Sequence, residues 1–300
     1  MGLIKKPTEA IIVRSLVTLL YGQPGIGKTT WALSAPAPLL LDFDGGIRRV
    51  RPEDRRDYVP ISCWQDAVDV LSSPELDNYQ TIIVDTAGMA LDFLAQTVIA
   101  ENPKLGVGGD LSLKGWGALK SKFRNFVGSL KAKGKYIVFV AHDKEQTENE
   151  KKYIRPDVAG ASLSLIIRES DLVGYMEAMG NQRTVSFTPT ERSYGKNSMG
   201  LPGFLDLGTT KLERVFEMYQ EQQETQAVML VKYNDVLNTI NAMIDGITNG
   251  DEAREIATSV GALEVVWDSK LRAKTMFAAK LKELKLKYVK EGDIYEPETV

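Results

Sequence analysis

Residues 19–33 read LLYGQPGIGKTTWAL, an apolar, strand-like run that breaks into three glycines, one lysine and two threonines before apolar character resumes. Bare glycine backbone lets a loop wrap with its N–H groups turned inward, and a lysine beside it adds a point charge. Glycine, four residues, glycine, lysine and threonine between a strand and a helix is the order that cradles phosphate groups. Gly22-Gln23-Pro24-Gly25-Ile26-Gly27-Lys28-Thr29-Thr30 is therefore the predicted binding loop. Lys28 is placed to reach the β and γ phosphates of a nucleoside triphosphate, and the Thr29 hydroxyl to sit on Mg²⁺. Thr30 is expected to hydrogen-bond further back along the chain, and the helix that opens near Lys28 to add the positive end of its dipole. The four fixed positions arise by chance in about 1% of chains of this length, so a plain strand-to-helix turn is the weaker reading.

Working outward, short β-branched or leucine-rich runs alternate with amphipathic stretches up to about residue 190, the pattern of a mainly parallel sheet between helices. The expected strands are 16–21, 38–43, 81–85, 136–141, 172–179 and 183–188. The runs at 81 and 136 are apolar throughout, as strands buried on both faces are. A helix is expected from about 118, where Leu119, Phe123, Phe126 and Leu130 recur every three or four residues, and Gly134 stops it. From about 210 only helices are expected, with a seam of Met229, Tyr233, Val236, Ile240, Met243 and Ile247, then Asp251 as the next cap. Phe277, Leu281, Leu284 and Tyr288 stripe the last helix. "LPGFLDLGTT" (201–210) reads as the boundary between an α/β domain over 1–208 and a helical region over 209–300.

Composition sets the limits. With 43% hydrophobic and 26% charged residues over 300, one large or two modest domains are expected. Apolar runs fall short of a membrane span, and the first residues lack the apolar core of a secretory signal, so a cytoplasmic protein with no membrane partner is expected. Cys63 is the single cysteine, which excludes an intrachain disulfide and suggests a small buried hydrophobe. A net charge of −3 gives no global pull toward polyanions, so nucleic acid would have to be met by local patches.

The remaining site candidates lie at the ends of other strands, where doubly wound sheets bind ligands. Asp85 ends "TIIVD" and is the expected Mg²⁺ carboxylate, its competing role being a helix cap near Gly88. Asp42 and Asp44 in "LLLDFDGG" lie two apart, and one of them is the expected catalytic base; a turn-forming aspartate is the alternative. His142 is the only histidine and follows the strand "YIVFVA", where an imidazole could donate to a γ-phosphate.

With these motifs in order, the first 205 or so residues resemble the RecA-like recombinase core, and more narrowly the phage-encoded Sak-type ATP-binding proteins of single-strand annealing and recombination. "GQPGIGKTT" is similar to the Walker A loop, "TIIVD" to the Walker B strand, and "LLLDFDGG" to the strand whose glutamate activates water; Asp44 matches that glutamate with one carbon fewer. His142 stands where these proteins carry a polar sensor. The resemblance implies ATP and Mg²⁺ as cofactors, slow DNA-stimulated ATP hydrolysis, and homo-oligomers with ATP between subunits. It places DNA-binding loops at 106–117 and 143–161, the second ending in a glycine-containing turn. "YGKNSMGLP" (194–202) is similar to an element inserted into a neighbour's ATP site: Lys196 matches its first cation, and Ser198 stands where a second is expected.

The first loop offers Lys114 and Trp116, followed by Lys120, Lys122 and Arg124, a mixture suited to single-stranded DNA because every base presents a stackable face. The second offers Lys144, Lys151, Lys152, Tyr153 and Arg155, diluted by Glu145, Glu148 and Glu150. Arg48, Arg49, Arg51, Arg55 and Arg56 form a third patch, offset by acids and readable as a solvated loop. A helicase-like or loader motor, or a non-catalytic nucleotide-dependent module whose helical tail recruits a single-strand-binding or replication protein, are the competing functions on the same motifs.

Overall fold

The computed structural model describes residues 9, 15–148, 150–159, 162–180, 182–290, 292 and 294–297. Two compact units are present: residues 13–219, and residues 220–300 together with 1–12. The strands of the first unit are β1 (Val17–Gly22), β2 (Pro38–Asp42), β3 (Tyr58–Pro60), β4 (Thr81–Asp85), β5 (Gly106–Val107), β6 (Asp110–Leu111), β7 (Tyr136–Glu148), β8 (Lys151–Pro156), β9 (Leu172–Met179), β10 (Gln182–Ser186), β11 (Lys196–Asn197) and β12 (Phe204–Asp206). Its helices are α1 (Lys28–Ala32), α2 (Trp64–Ser72), α3 (Ala87–Glu101), α4 (Leu113–Ala132) and α5 (Ser162–Glu169).

The main sheet runs β12-β10-β9-β1-β7-β4-β2-β3, with β8 hairpinned onto β7 and β11 paired with β9. Pairings from β3 through β9 are parallel, whereas β10, β11 and β12 join antiparallel. Successive side chains on a strand point to opposite faces. In β1, Val17, Leu19 and Tyr21 enter one core cluster, while Leu20 and, just before the strand, Leu16 enter another. β7 divides likewise, with Ile137 and Phe139 on one side and Val138 and Val140 on the other. Helices α2, α3 and α4 cover the first face through Trp64, Leu94 and Phe123; Trp31 and the first turn of a long helix cover the second. Both faces are dry, which is why the runs at 81 and 136 carry no polar alternation.

In register, Gly22 stands opposite His142 on β7, and Asp85 opposite Asp42 on β2. The carboxyl ends of β1, β7, β4 and β2 thus lie side by side and bring the phosphate loop, His142, Asp85 and Asp42 to one edge.

The helical expectation for the C-terminal region holds with corrections. Helix α6 (Leu212–Asp245), α7 (Gly250–Gly261) and α8 (Ser269–Glu283) are followed by a hairpin of β13 (Leu286–Val289) and β14 (Ile294–Pro297). Tyr288 is therefore on a strand, where its ring meets Tyr295. Asn249, not Asp251, caps α7, its side chain accepting from the Glu252 N–H. Ile240, Ile244, Ile247, Ala253 and Ala273 form the core of this unit, so the seam includes Ile244, one residue past Met243.

Other local expectations also change. Helix α4 begins at Leu113 because Ser112 caps it, accepting from the Gly115 N–H at 3.2 Å. Trp116 consequently packs half-buried against the core on a helix, not on a loop. Residues 143–148 pair antiparallel with residues 151–156, Lys144 opposite Arg155, so these stretches are strands and again not a loop. The expected glycine turn at residue 160 and the N-terminal stretch apart from Glu9 lie outside the described residues. Cys63 is exposed, at the start of α2, where the Asp66 carboxylate accepts its N–H at 3.0 Å. Among the described residues no helix is long and apolar enough to cross a membrane.

Candidate nucleotide site

A cavity of about 1110 Å³ opens at the carboxyl edge of the sheet, lined by residues 24–31 of the glycine loop together with Asp44, Asp85 and His142. The loop leaves β1 at Gly22 and enters α1 through Gly27, which is left-handed at φ 101°. Such a turn is cheap only for glycine. Helix α1 is only five residues long, so the dipole it adds is weak.

Lys28 is buried and curls back, its Nζ donating to the Gly22 carbonyl at 2.7 Å and the Gln23 carbonyl at 2.8 Å. Burial lowers its pKa below the usual lysine range, opposed by Asp85, Asp143 and Asp44. Gly22 and Gln23 thus hold the lysine and do not themselves line the cavity. The Thr29 hydroxyl donates to Asp85 Oδ2 at 2.5 Å, which joins the two predicted metal-binding groups across β1 and β4. Burial pushes the Asp85 carboxyl up to about 6, against the Thr29 hydrogen bond, with the charges of Asp44 and Asp42 raising it further. Helix α3 is capped by Thr86, which accepts from the Met89 N–H, so Asp85 is free of that role.

The two aspartates of "LLLDFDGG" separate cleanly. Asp42 ends β2, and its carboxylate accepts from Gly46 N–H at 2.7 Å and Ile47 N–H at 3.3 Å, holding the turn after it. Asp44 faces the cavity; Oδ2 accepts from Arg49 at 2.9 Å, while buried Oδ1 has no hydrogen-bond partner. His142 Nδ1 is likewise buried without a partner. Burial and then Lys28 lower the His142 pKa below its ordinary value, so the ring is neutral at pH 7.

Orphaned buried polar atoms call for an explanation, and a ligand in this cavity supplies one. The donor set fits a magnesium nucleotide: a hydroxyl and a carboxylate in contact suit a hard cation. Among the described residues no group of three or more His, Cys, Asp or Glu could hold a metal, so Mg²⁺ would depend on phosphate oxygens for the rest of its shell.

Lys196 is not in this cavity. It lies on β11, half-buried, and its Nζ donates to the Ser170 carbonyl. Ser198 donates to the Asp171 carbonyl at 2.7 Å. The candidate DNA-binding lysines are partly spent on neighbouring acids: Lys122 pairs with Glu101, Lys144 with Asp157 and Lys152 with Glu145. Arg155 is stacked over Tyr153 and Tyr194, 4.6 and 4.2 Å from their ring centres. The cavity also recruits residues that motif reading did not find, among them Arg183 on β10 and Lys211 beyond β12. Sequence spacing held no signal for them because antiparallel strands, not a motif, carry them there.

Residues 14–199 match the family model described as "AAA domain", which covers more than half of the chain. The chain belongs to this family. The AAA-domain match places the chain among P-loop ATPases and spans the glycine loop, Asp44, Asp85, His142 and Lys196. Among curated proteins no sequence matches. Among solved structures, the RadB recombinase is similar over 60% of this chain and 84% of its own, with 16% identity and a TM-score of 0.37.

Proposed function

We propose that this AAA-domain chain is an ATP-hydrolysing recombination protein that binds single-stranded DNA and promotes annealing or strand exchange, in the manner of the phage-encoded Sak-type proteins. The observation that carries the reading is the convergence of Lys28, the Thr29–Asp85 contact and two unpartnered buried atoms, Asp44 Oδ1 and His142 Nδ1, on one cavity. Magnesium, when bound with the nucleotide, neutralises charge building on the β and γ phosphoryl oxygens. Lys28 turns from the Gly22 and Gln23 carbonyls to the phosphates. Asp44, with one carboxylate oxygen unpartnered, orients and deprotonates the attacking water, and neutral His142 senses the γ-phosphate as donor.

DNA coupling is supported by the strand itself: β7 carries His142 and continues without a break into the charged hairpin with β8. A change at the γ-phosphate thereby reaches Lys144 along β7, and Lys151 and Lys152 across its pairing with β8. Subunits assemble with ATP between them, Lys196 acting on the neighbour, in the cytoplasm of a bacterial host. The C-terminal unit serves assembly or a single-strand-binding or replication partner.

The test is the ATPase rate of the full chain with Mg²⁺, with and without single-stranded DNA, alongside the shift of a labelled oligonucleotide by a non-hydrolysable ATP analogue. A DNA-stimulated rate and a nucleotide-dependent shift are expected. If DNA changes neither rate nor mobility, the recombination reading fails; if forked duplex is unwound, the motor reading replaces it.

A further inference from the structure

Arg183 stands on β10 and reaches the phosphate loop from a different part of the chain. Its Nη1 lies 3.2 Å from the point a Cβ at Gly27 would occupy, so the guanidinium sits directly against the bare glycine of the loop. The side chain lines the same cavity as Lys28, Thr29 and Asp85. Its anchoring is firm. β10 pairs with β9, β9 pairs with the loop-bearing β1, and the Arg183 carbonyl accepts from the Leu207 N–H at 2.9 Å.

No carboxylate among the described residues neutralises Arg183. Asp206, an acid of the same cavity lining, is already committed: Oδ2 accepts from Gln182 at 2.9 Å, and Oδ1 from the Gly208 and Thr209 N–H groups at 2.7 and 3.2 Å. An unpaired planar guanidinium held over a phosphate loop matches phosphate oxygens with two parallel donors, geometry a lysine cannot reproduce.

We propose that Arg183 is a second phosphate-contacting cation, supplied by the same subunit, that binds the polyphosphate of a nucleoside di- or triphosphate alongside Lys28. The assignment rests on the nucleotide reading of the cavity. It explains why a β-hairpin remote in sequence is folded against the loop, and it gives the subunit a phosphate clamp that needs no neighbour.

The experiment is calorimetric titration of the full chain with ATP and with ADP in the presence of Mg²⁺. Wild type, Lys28→Ala, Arg183→Ala and Arg183→Lys are compared, and the melting temperature of each is taken without nucleotide. Losing a charge-assisted contact should weaken both nucleotides roughly ten- to hundred-fold in Arg183→Ala. Arg183→Lys should recover part of that loss, and the nucleotide-free melting temperature should stay that of wild type. Wild-type affinity in Arg183→Ala, or a loss that tracks a lowered melting temperature, overturns the proposal. No ATP binding by wild type takes down the nucleotide reading itself, and the clamp with it.

Discussion

Asp44 and Asp42 differ by two positions and by everything that matters to chemistry. Asp42 spends both oxygens on the turn that follows β2, whereas Asp44 lines the cavity and its buried Oδ1 has no hydrogen-bond partner. Asp44→Asn keeps the shape and removes the base, so ATP affinity should persist while turnover falls by roughly 10²–10⁴-fold, the usual weight of general base catalysis, in a steady-state assay. Gly46→Ala offers an independent approach to the same carboxylate, because a Cβ there would stand 2.8 Å from Asp44 Oδ1. It should lower turnover with Asp44 still present, and unchanged turnover in both variants would remove Asp44 from the mechanism. At this scale the sequence was legible where one loop holds the chemistry: the glycine run, Lys28 and Thr29 are local, and so is Asp85 at the end of its strand. Its residues alone did not say which aspartate is free, since that depends on where the Gly46 and Ile47 N–H groups point, and only the family resemblance favoured Asp44. It was silent too on Arg183, whose neighbour at the loop lies more than 150 positions away.

Elements buried on both faces announce themselves, and elements facing water do not. The strands around 81 and 136 could be read from continuous apolar runs, whereas "DKEQTENEKKYIRP" looked like a loop because no face of it is dry. Its order comes from cross-strand partners, Lys144 opposite Arg155 and Glu145 opposite Ile154, and from the stacked Arg155 at its base. Helix α4 hid its first turn behind Gly115 and Gly117, residues that argue against a helix until the Ser112 cap and the packing of Gly115 on the Leu105 carbonyl are seen. If the hairpin carries DNA, its charges bind phosphates by releasing counterions. Reversing Lys151 and Lys152 to glutamate should weaken single-stranded DNA binding and flatten its salt dependence, by about 0.7 in the log–log slope for each phosphate that is no longer neutralised. Fluorescence anisotropy of a labelled oligonucleotide across a salt series measures both. An unchanged slope would place the DNA elsewhere, with Lys114 on α4 the next residue to reverse.

For the molecule as a whole, the α/β class could be read from alternating patterns, but the strand order could not. That β7 lies between β1 and β4 is a long-range fact, and it is what puts His142 beside the phosphate loop. The C-terminal hairpin escaped for the opposite reason: Leu286 and Ile294 are too few to set a period against the lysines around them. Assembly is the property in which residues of one chain complete the site of another, and Lys196 is its candidate. Within one chain Lys196 donates to the Ser170 carbonyl and stays out of the cavity, so a role in the neighbour's site requires it to leave that carbonyl. A defect in Lys28 acts on the subunit that binds ATP, and a defect in Lys196 on the subunit next to it, so the two should complement. In a head-to-tail assembly mixed equally from Lys28→Ala and Lys196→Ala chains, about a quarter of the interfaces pair an intact Lys28 with an intact Lys196. DNA-stimulated turnover of the mixture should therefore reach about a quarter of wild type while each variant alone is inactive. Activity in Lys196→Ala alone, or a mixture no better than its parts, would show that each subunit completes its own site.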